Sequence, residues 1–284
     1  MIRPRQVTRG VELFPARTPT LPPATHTNSY ALGDREVLLV EPATPHDDER
    51  RAWLEWARGI SSSGRKLVGI FLTHHHVDHV SGAEFFSTNL NLPLFAHVET
   101  AKRLPGLTIT QIIDETHVFD LGGPIPMRWR VLHTPGHAPG HLCLYDDDAE
   151  TVIVGDMVAS EGTILIEPRD GDMQIYLQQL DRLASLSAHV ALPAHGEPID
   201  TPTNLFRYYI KHRLAREEKV LAAVATTRET GSTIGDLVPM AYADTPPMLW
   251  PIAALSLEAH LVKLEREGRV EKLASEMYRC RMGG

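Results

Sequence analysis

Apolar residues fall along the chain in two textures, and the change comes near residue 203. Before it, short unbroken apolar runs alternate with amphipathic stretches. Glu36–Val40 (EVLLV) and Lys66–Thr73 (KLVGIFLT) lack polar alternation, which predicts buried strands. Pro93–Ala96, Met127–His133, His141–Tyr145, Thr151–Val154 and Val190–Leu192 read as further strands. Asp47–Ile60 (DDERRAWLEWARGI) predicts a helix with acidic residues in its first turn, where the dipole favours them. Ile175–Leu186 also has helical spacing.

After residue 203 the strands stop. Asn204–Thr226 reads as a long helix, Ile234–Ala241 as a short one, and Leu255–Glu267 as an amphipathic one that Gly268 ends. Weak alternation over Val270–Tyr278 predicts a small hairpin. Three helices and a β-wing are the order of a winged helix. The expected division is therefore a catalytic domain over residues 1–203 and a winged-helix-like domain over 204–284.

Composition narrows the partners. Residues 204–284 hold 12 Lys and Arg against 10 Asp and Glu, so they carry +2 of a net charge of −8 and the rest carries −10. Such an acidic body is a poor phosphate-binding surface. No apolar run approaches a membrane span, and the arginines near the start precede no apolar signal region, so a cytoplasmic protein without membrane contact is expected. Only Cys143 and Cys280 are present, so a metal site must use histidine and carboxylate.

Eight of the 15 histidines sit in three short stretches, each at or just past the end of an expected strand: Thr73–His79 (THHHVDH), His133–His141 (HTPGHAPGH) and Ala194–Gly196 (AHG). Asp156 follows a fourth strand in VGD. Strand ends are where α/β folds place their sites. His74 and His76 can face one way on an extended segment, and Asp78 and His79 follow closely enough to present a second pair. Imidazole and carboxylate suit zinc at about 2.0–2.2 Å, although iron or manganese accept the same donors. Two such cations lower the pKa of a shared water and clamp the developing charge of a displaced oxygen.

In that chain order, THHHVDH, HTPGH, GD and AHG resemble the metallo-β-lactamase superfamily, with a metal set like that of glyoxalase II. The resemblance implies an α+β fold, a four-layer αβ/βα sandwich with two divalent metal ions at one edge. It implies that His74, His76 and His137 bind one ion, that Asp78, His79 and His195 bind the other, and that Asp156 bridges both together with a hydroxide. Asp78 is also the expected catalytic residue, orienting that hydroxide. His75 is expected to point away, His133 to pack or support, and Gly155 to let its strand end close to the ions.

Departures from particular branches matter. The commonest zinc β-lactamases have Arg where this chain has His79 and use a Cys ligand, so antibiotic hydrolysis is not expected. The glutathione-binding NPFLR-like segment of glyoxalase II is absent. The tail, HRLAREEKVLAAV, TIGDLV and LEAHLVKLEREGRV, resembles that of lactamase-beta-like hydrolases with a C-terminal winged helix. That group includes a single-strand-specific endoribonuclease, and relatives with similar tails act on acyl thioesters.

Two enzymatic functions follow. The first is hydrolysis of a small ester, thioester or lactone. The alternative is an endoribonuclease, with single-stranded RNA held by Arg207, Lys211, Arg213 and Arg216. A metal-binding regulator with an inactive site is the non-enzymatic reading. Sequence-specific DNA binding is not expected, because Glu258, Glu265 and Glu267 offset Lys263 and Arg266 on the would-be recognition helix. The pattern leaves oligomeric state open.

Overall fold

The computed structural model describes residues 3–226, 231–273 and 276–281. Its chain divides into two compact units. One takes the chain up to Thr134, Ala138–Ile164 and Leu186–Thr203; the other takes Pro135–His137, Leu165–Ser185 and the chain from Asn204 on.

The first unit opens with strands β1 (Arg5–Thr8), β2 (Val11–Arg17), β3 (His26–Leu32) and β4 (Glu36–Val40). Helix α1 (Asp47–Ser62) leads to β5 (Lys66–Phe71), and α2 (Val77–Val80) and α3 (Ala83–Leu90) lead to β6 (Leu94–Ala96). Helix α4 (Val98–Arg103) and β7 (Gln111–Ile112) complete a seven-stranded sheet in the order β1 to β7. Its first four strands pair antiparallel and β4 to β7 pair parallel. A second sheet is built from β8 (Val118–Leu121), β9 (Met127–His133), β10 (Leu142–Asp146), β11 (Thr151–Gly155) and β12 (Val190–Pro193), in the order β12-β11-β10-β9-β8.

The sheets face each other across one core. Leu38, Val40 and Phe71 of the first meet Trp129, Leu144 and Ile153 of the second. On the first sheet's other face, Val37, Leu39 and Ile70 pack under Trp53 of α1 and Phe86 of α3, whose rings stack 3.9 Å apart. Strand β4 is thus buried on both faces, which is why EVLLV shows no alternation. Strands β4, β5, β11 and β12 run parallel to their neighbours on the crossover side. Segments 41–46, 72–80, 156–160 and 194–197 follow their C-terminal ends and carry Glu41, His74, His76, Asp78, His79, Asp156 and His195.

The second unit holds α5 (Met173–Ala184), α6 (Pro202–Ala225), α7 (Ile234–Ala241) and α8 (Trp250–Arg266), with a hairpin of β13 (Val270–Lys272) and β14 (Tyr278–Cys280). Thr233 and Asp236 form a capping box at the start of α7. Helix α8 begins before the expected Leu255, because Pro251 falls in its first turn, where no intrahelical N–H is needed. It closes as a Schellman motif: Gly268 N–H donates to Glu265 O and Arg269 N–H to Leu264 O, each at 2.9 Å. Val220, Val224, Leu237, Leu257, Leu261 and Leu264 form its core with Val270 and Tyr278. Ala274 and Ser275 of the expected hairpin lie outside the described residues. Among the described residues, no helix is long and apolar enough to cross a membrane.

Candidate metal centre

The turn after β5 carries the first cluster. His74 is fully buried, and its Nδ1 lies 2.9 Å from Thr73 Oγ1. That contact turns Nε2 the other way, to 3.0 Å from His76 Nδ1. Two ring nitrogens so close must share either a proton or a cation. The chain then winds into the short helix α2, which swings Asp78 and His79 to the same place. His79 is fully buried. Its Nδ1–H donates to Glu41 Oε2 at 2.9 Å, and its buried Nε2 makes no hydrogen bond. That Nε2 faces Asp156 Oδ1 at 3.5 Å and Asp78 Oδ2 at 3.8 Å.

His195 arrives from the end of β12. Its Nε2 lies 3.4 Å from Asp156 Oδ1 and 3.6 Å from Asp78 Oδ2, while its Nδ1–H donates to His26 O at 3.0 Å. The donor atoms of Asp78, His79 and His195 lie within 4.8 Å of one another, as do those of His74, His79 and Asp156. Each buried imidazole therefore has its far nitrogen anchored and its near nitrogen turned to a common space. This is what a metal-ligating histidine needs, since the far contact fixes tautomer and ring orientation. The fully buried Nε2 of His79, hydrogen-bonded to nothing, is an orphan that a cation would satisfy. The donor set fits zinc and its relatives.

Electrostatics favour the same assembly. Burial pulls the His79 imidazole down, but the carboxylates of Asp156, Asp78 and Glu41 outweigh it and hold the ring well above its usual range. His195 is raised in the same sense, with burial opposed by Asp156. For Asp156, burial would raise the carboxyl, and His195 and His79 instead hold it well below the ordinary carboxylate range.

His137 belongs to the second unit. It is buried, and its Nδ1–H donates to Leu165 O at 2.9 Å. The preceding Gly136 has φ +130°, and a Cβ there would meet Tyr176 N and Cα at 2.4 Å, so only glycine lets the HTPGH turn lie against the start of α5.

Several supporting residues escape the motifs. Glu41, at the end of β4, is 1 % exposed and has φ 58°, a left-handed conformation that costs a non-glycine residue energy. Its Oε1 accepts Thr73 N–H at 2.9 Å while Oε2 takes His79. The one carboxylate thus fixes both the start and the end of the THHHVDH turn. Asn28 of β3 donates its side-chain N–H groups to Pro193 O at 2.9 Å and Gly196 O at 2.8 Å, bracketing His195. Tyr30 adds a hydrogen bond to Pro193 O at 2.7 Å.

His141 is fully buried and does not reach outward. Its Nε2 accepts Asp156 N–H at 3.1 Å, so Nδ1 carries the proton and donates to Thr134 Oγ1 at 2.8 Å. It positions the backbone of Asp156. Gly155 completes that contact: its φ is +48°, and a Cβ would lie 2.5 Å from His141 Nε2. His133 packs, as expected of it: its ring stacks on His97 at 4.2 Å and lies 2.9 Å from Pro139 O.

Comparison with known proteins agrees with this geometry. The profile of the metallo-beta-lactamase superfamily matches residues 22–195, and that of the beta-lactamase associated winged helix domain matches residues 233–279. The chain is 30% identical over 266 residues to a beta-lactamase-like protein 2 homolog of Drosophila melanogaster, covering 89% of this chain and 87% of that one. It is 28% identical over 216 residues to an atrochrysone carboxyl ACP thioesterase of Aspergillus chevalieri, covering 74% and 64%. Among solved structures, a metallo-beta-lactamase family protein of Thermus thermophilus superposes with a TM-score of 0.79 at 25% identity, over 97% of this chain and 100% of that one.

Proposed function

This chain belongs to the metallo-β-lactamase superfamily and is a metal-dependent hydrolase, and from that premise we propose that it hydrolyses an acyl thioester at a site for two divalent cations. The observation that carries the reading is the convergence of buried donors with anchored far nitrogens on the ends of β5, β11 and β12. Thioesters are favoured because relatives along three-quarters of the chain are named as thioesterases. Following the family resemblance, we assign His74, His76 and His137 to one ion, Asp78, His79 and His195 to the other, and Asp156 to both.

Two cations held by these residues would supply a hydroxide near neutral pH and a Lewis acid for the carbonyl oxygen. Everything else falls to the chain. Asp78, with a side chain 15 % exposed, stands at the solvent side of the cluster and can accept a hydrogen bond from the attacking oxygen, orienting it. Glu41 keeps His79 from rotating, His141 holds the peptide of Asp156, and Asn28 fixes the loop of His195. The new C–O bond forms at the acyl carbon, the C–S bond breaks, and the thiolate leaves to take a proton from solvent.

The ribonuclease reading loses half of its basic face. Arg213 is 4 % exposed, with its guanidinium 5.7 Å from the centroid of the Tyr176 ring. Arg216 is held by Asp244 at 2.8 Å. Zinc-loaded protein should release free thiol from acyl-N-acetylcysteamine and leave a generic single-stranded RNA intact. RNA cleavage that disappears in Asp78→Asn, with no thiol release, would overturn the assignment.

A further inference from the structure

His137, assigned above to one ion, lies in the same compact unit as α5 and the C-terminal helices. Leu165 O accepts its Nδ1–H. The turn that follows, closed by Gly171 N–H to Glu167 O at 2.6 Å, brings Asp172 back to Gly136.

Three anchors meet at Asp172. Its N–H donates to Gly136 O at 2.8 Å, one residue before His137. Its Oδ1 accepts Ile175 N–H at 3.0 Å and so caps α5. Its Oδ2 accepts a hydrogen bond from Arg266 Nη1, 94 residues away in the last turn of α8. Burial would raise the Asp172 carboxyl, but Arg266 and the Ile175 N–H hold it below the ordinary carboxylate range, so it stays an anion. A second brace runs beside the first. Tyr176 is fully buried, and its backbone is what a Cβ at Gly136 would strike. The Arg213 guanidinium of α6 reaches the Tyr176 ring at cation–π distance, and Arg213 Nη1 donates to Ser256 Oγ of α8 at 3.4 Å.

Exposed ion pairs usually contribute little to stability, because water screens them and ordering two side chains costs entropy. The Arg266 side chain is 54 % exposed, whereas that of Asp172 is 18 % exposed. What sets this pair apart is what its carboxylate is tied to. Turning the carboxylate away uncaps α5 and loosens the residue that holds Gly136. The cost then falls on the orientation of a metal ligand more than on the fold.

We propose that Arg266 is a positioning residue for His137, acting through Asp172, so that the C-terminal helices set the affinity of the ion His137 binds. The inference rests on the two-cation reading of the site. It gives the C-terminal domain a part in the metal centre that needs no contact with substrate.

Titration of the full chain with zinc against a chromophoric chelator reads the two affinities. In Arg266→Glu two carboxylates face each other, and one ion should bind about tenfold more weakly, the lower end of what losing a ligand-orienting group costs. The other ion should keep its affinity. Arg266→Lys retains the single donor that the pair uses and should bind both ions as the wild type does. Asp172→Asn has one acceptor oxygen, which can serve the cap or Arg266 but not both, so it should match Arg266→Glu. His137→Ala identifies the ion concerned by removing it. Equal weakening of both ions in Arg266→Glu, or of neither, overturns the proposal. So does an Arg266→Lys protein that binds as poorly as Arg266→Glu. Loss of an ion in His137→Ala beside unchanged binding in Arg266→Glu removes the proposal alone. Two ions bound with wild-type affinity by His137→Ala would show that His137 is no ligand, and the assignment would fail together with the proposal.

Discussion

Asp78→Asn will lower thioester hydrolysis by about a thousandfold or more and leave the fold intact. A positioned proton acceptor contributes about 10²–10⁴-fold, and the substitution also exchanges an anionic oxygen donor for a neutral amide facing His79 and His195. Stability should change little. Asp78 is half-buried on a four-residue helix, and the cores beneath it do not include its side chain. Thiol release under substrate saturation measures the first effect, and the thermal midpoint of the metal-free protein measures the second. Activity within a few-fold of wild type would remove Asp78 from the chemistry.

Glu41→Gln is expected to weaken cation binding by about 10–100-fold, the range for losing the group that orients a metal-ligating histidine. The amide can still accept Thr73 N–H through its oxygen, but its NH2 then meets His79 Nδ1–H, donor against donor. His79 must turn or move its proton to Nε2, the nitrogen that faces Asp156 and Asp78. Excess zinc should restore much of the activity, which a purely structural defect would not allow. Glu41→Ala is harsher: it leaves both donors buried without an acceptor, at about 1–3 kcal/mol each. Competition with a chromophoric chelator reads the affinity directly, and unchanged affinity in the Gln variant would reduce Glu41 to a packing residue.

The division between what was legible and what was not follows from range of contact. Strands buried on both faces announce themselves as unbroken apolar runs, so EVLLV, KLVGIF and TVIVG were readable. The metal-binding side chains were readable because their chemistry needs rare residue types close together. Strands β2 and β3 were not: VELFPAR carries a proline and HTNSYAL is largely polar, yet both are sheet strands with mostly buried residues. Asn28 and Glu41 were invisible for the same reason. Asn28 acts on Pro193, 165 residues away, and Glu41 on His79, 38 residues away, and no local pattern marks such partners. The basic run on α6 misleads in the opposite direction. Four cations look like one solvated face, but the helix turns Arg213 inward toward Tyr176 and Ser256.

Calorimetric titration of the chelator-stripped protein with zinc tests the two-cation site most directly. The site described here predicts two equivalents per chain, falling to one or none when His74 and His195 are both replaced by alanine. Saturation at a single equivalent, or two equivalents that survive the loss of both histidines, would contradict it.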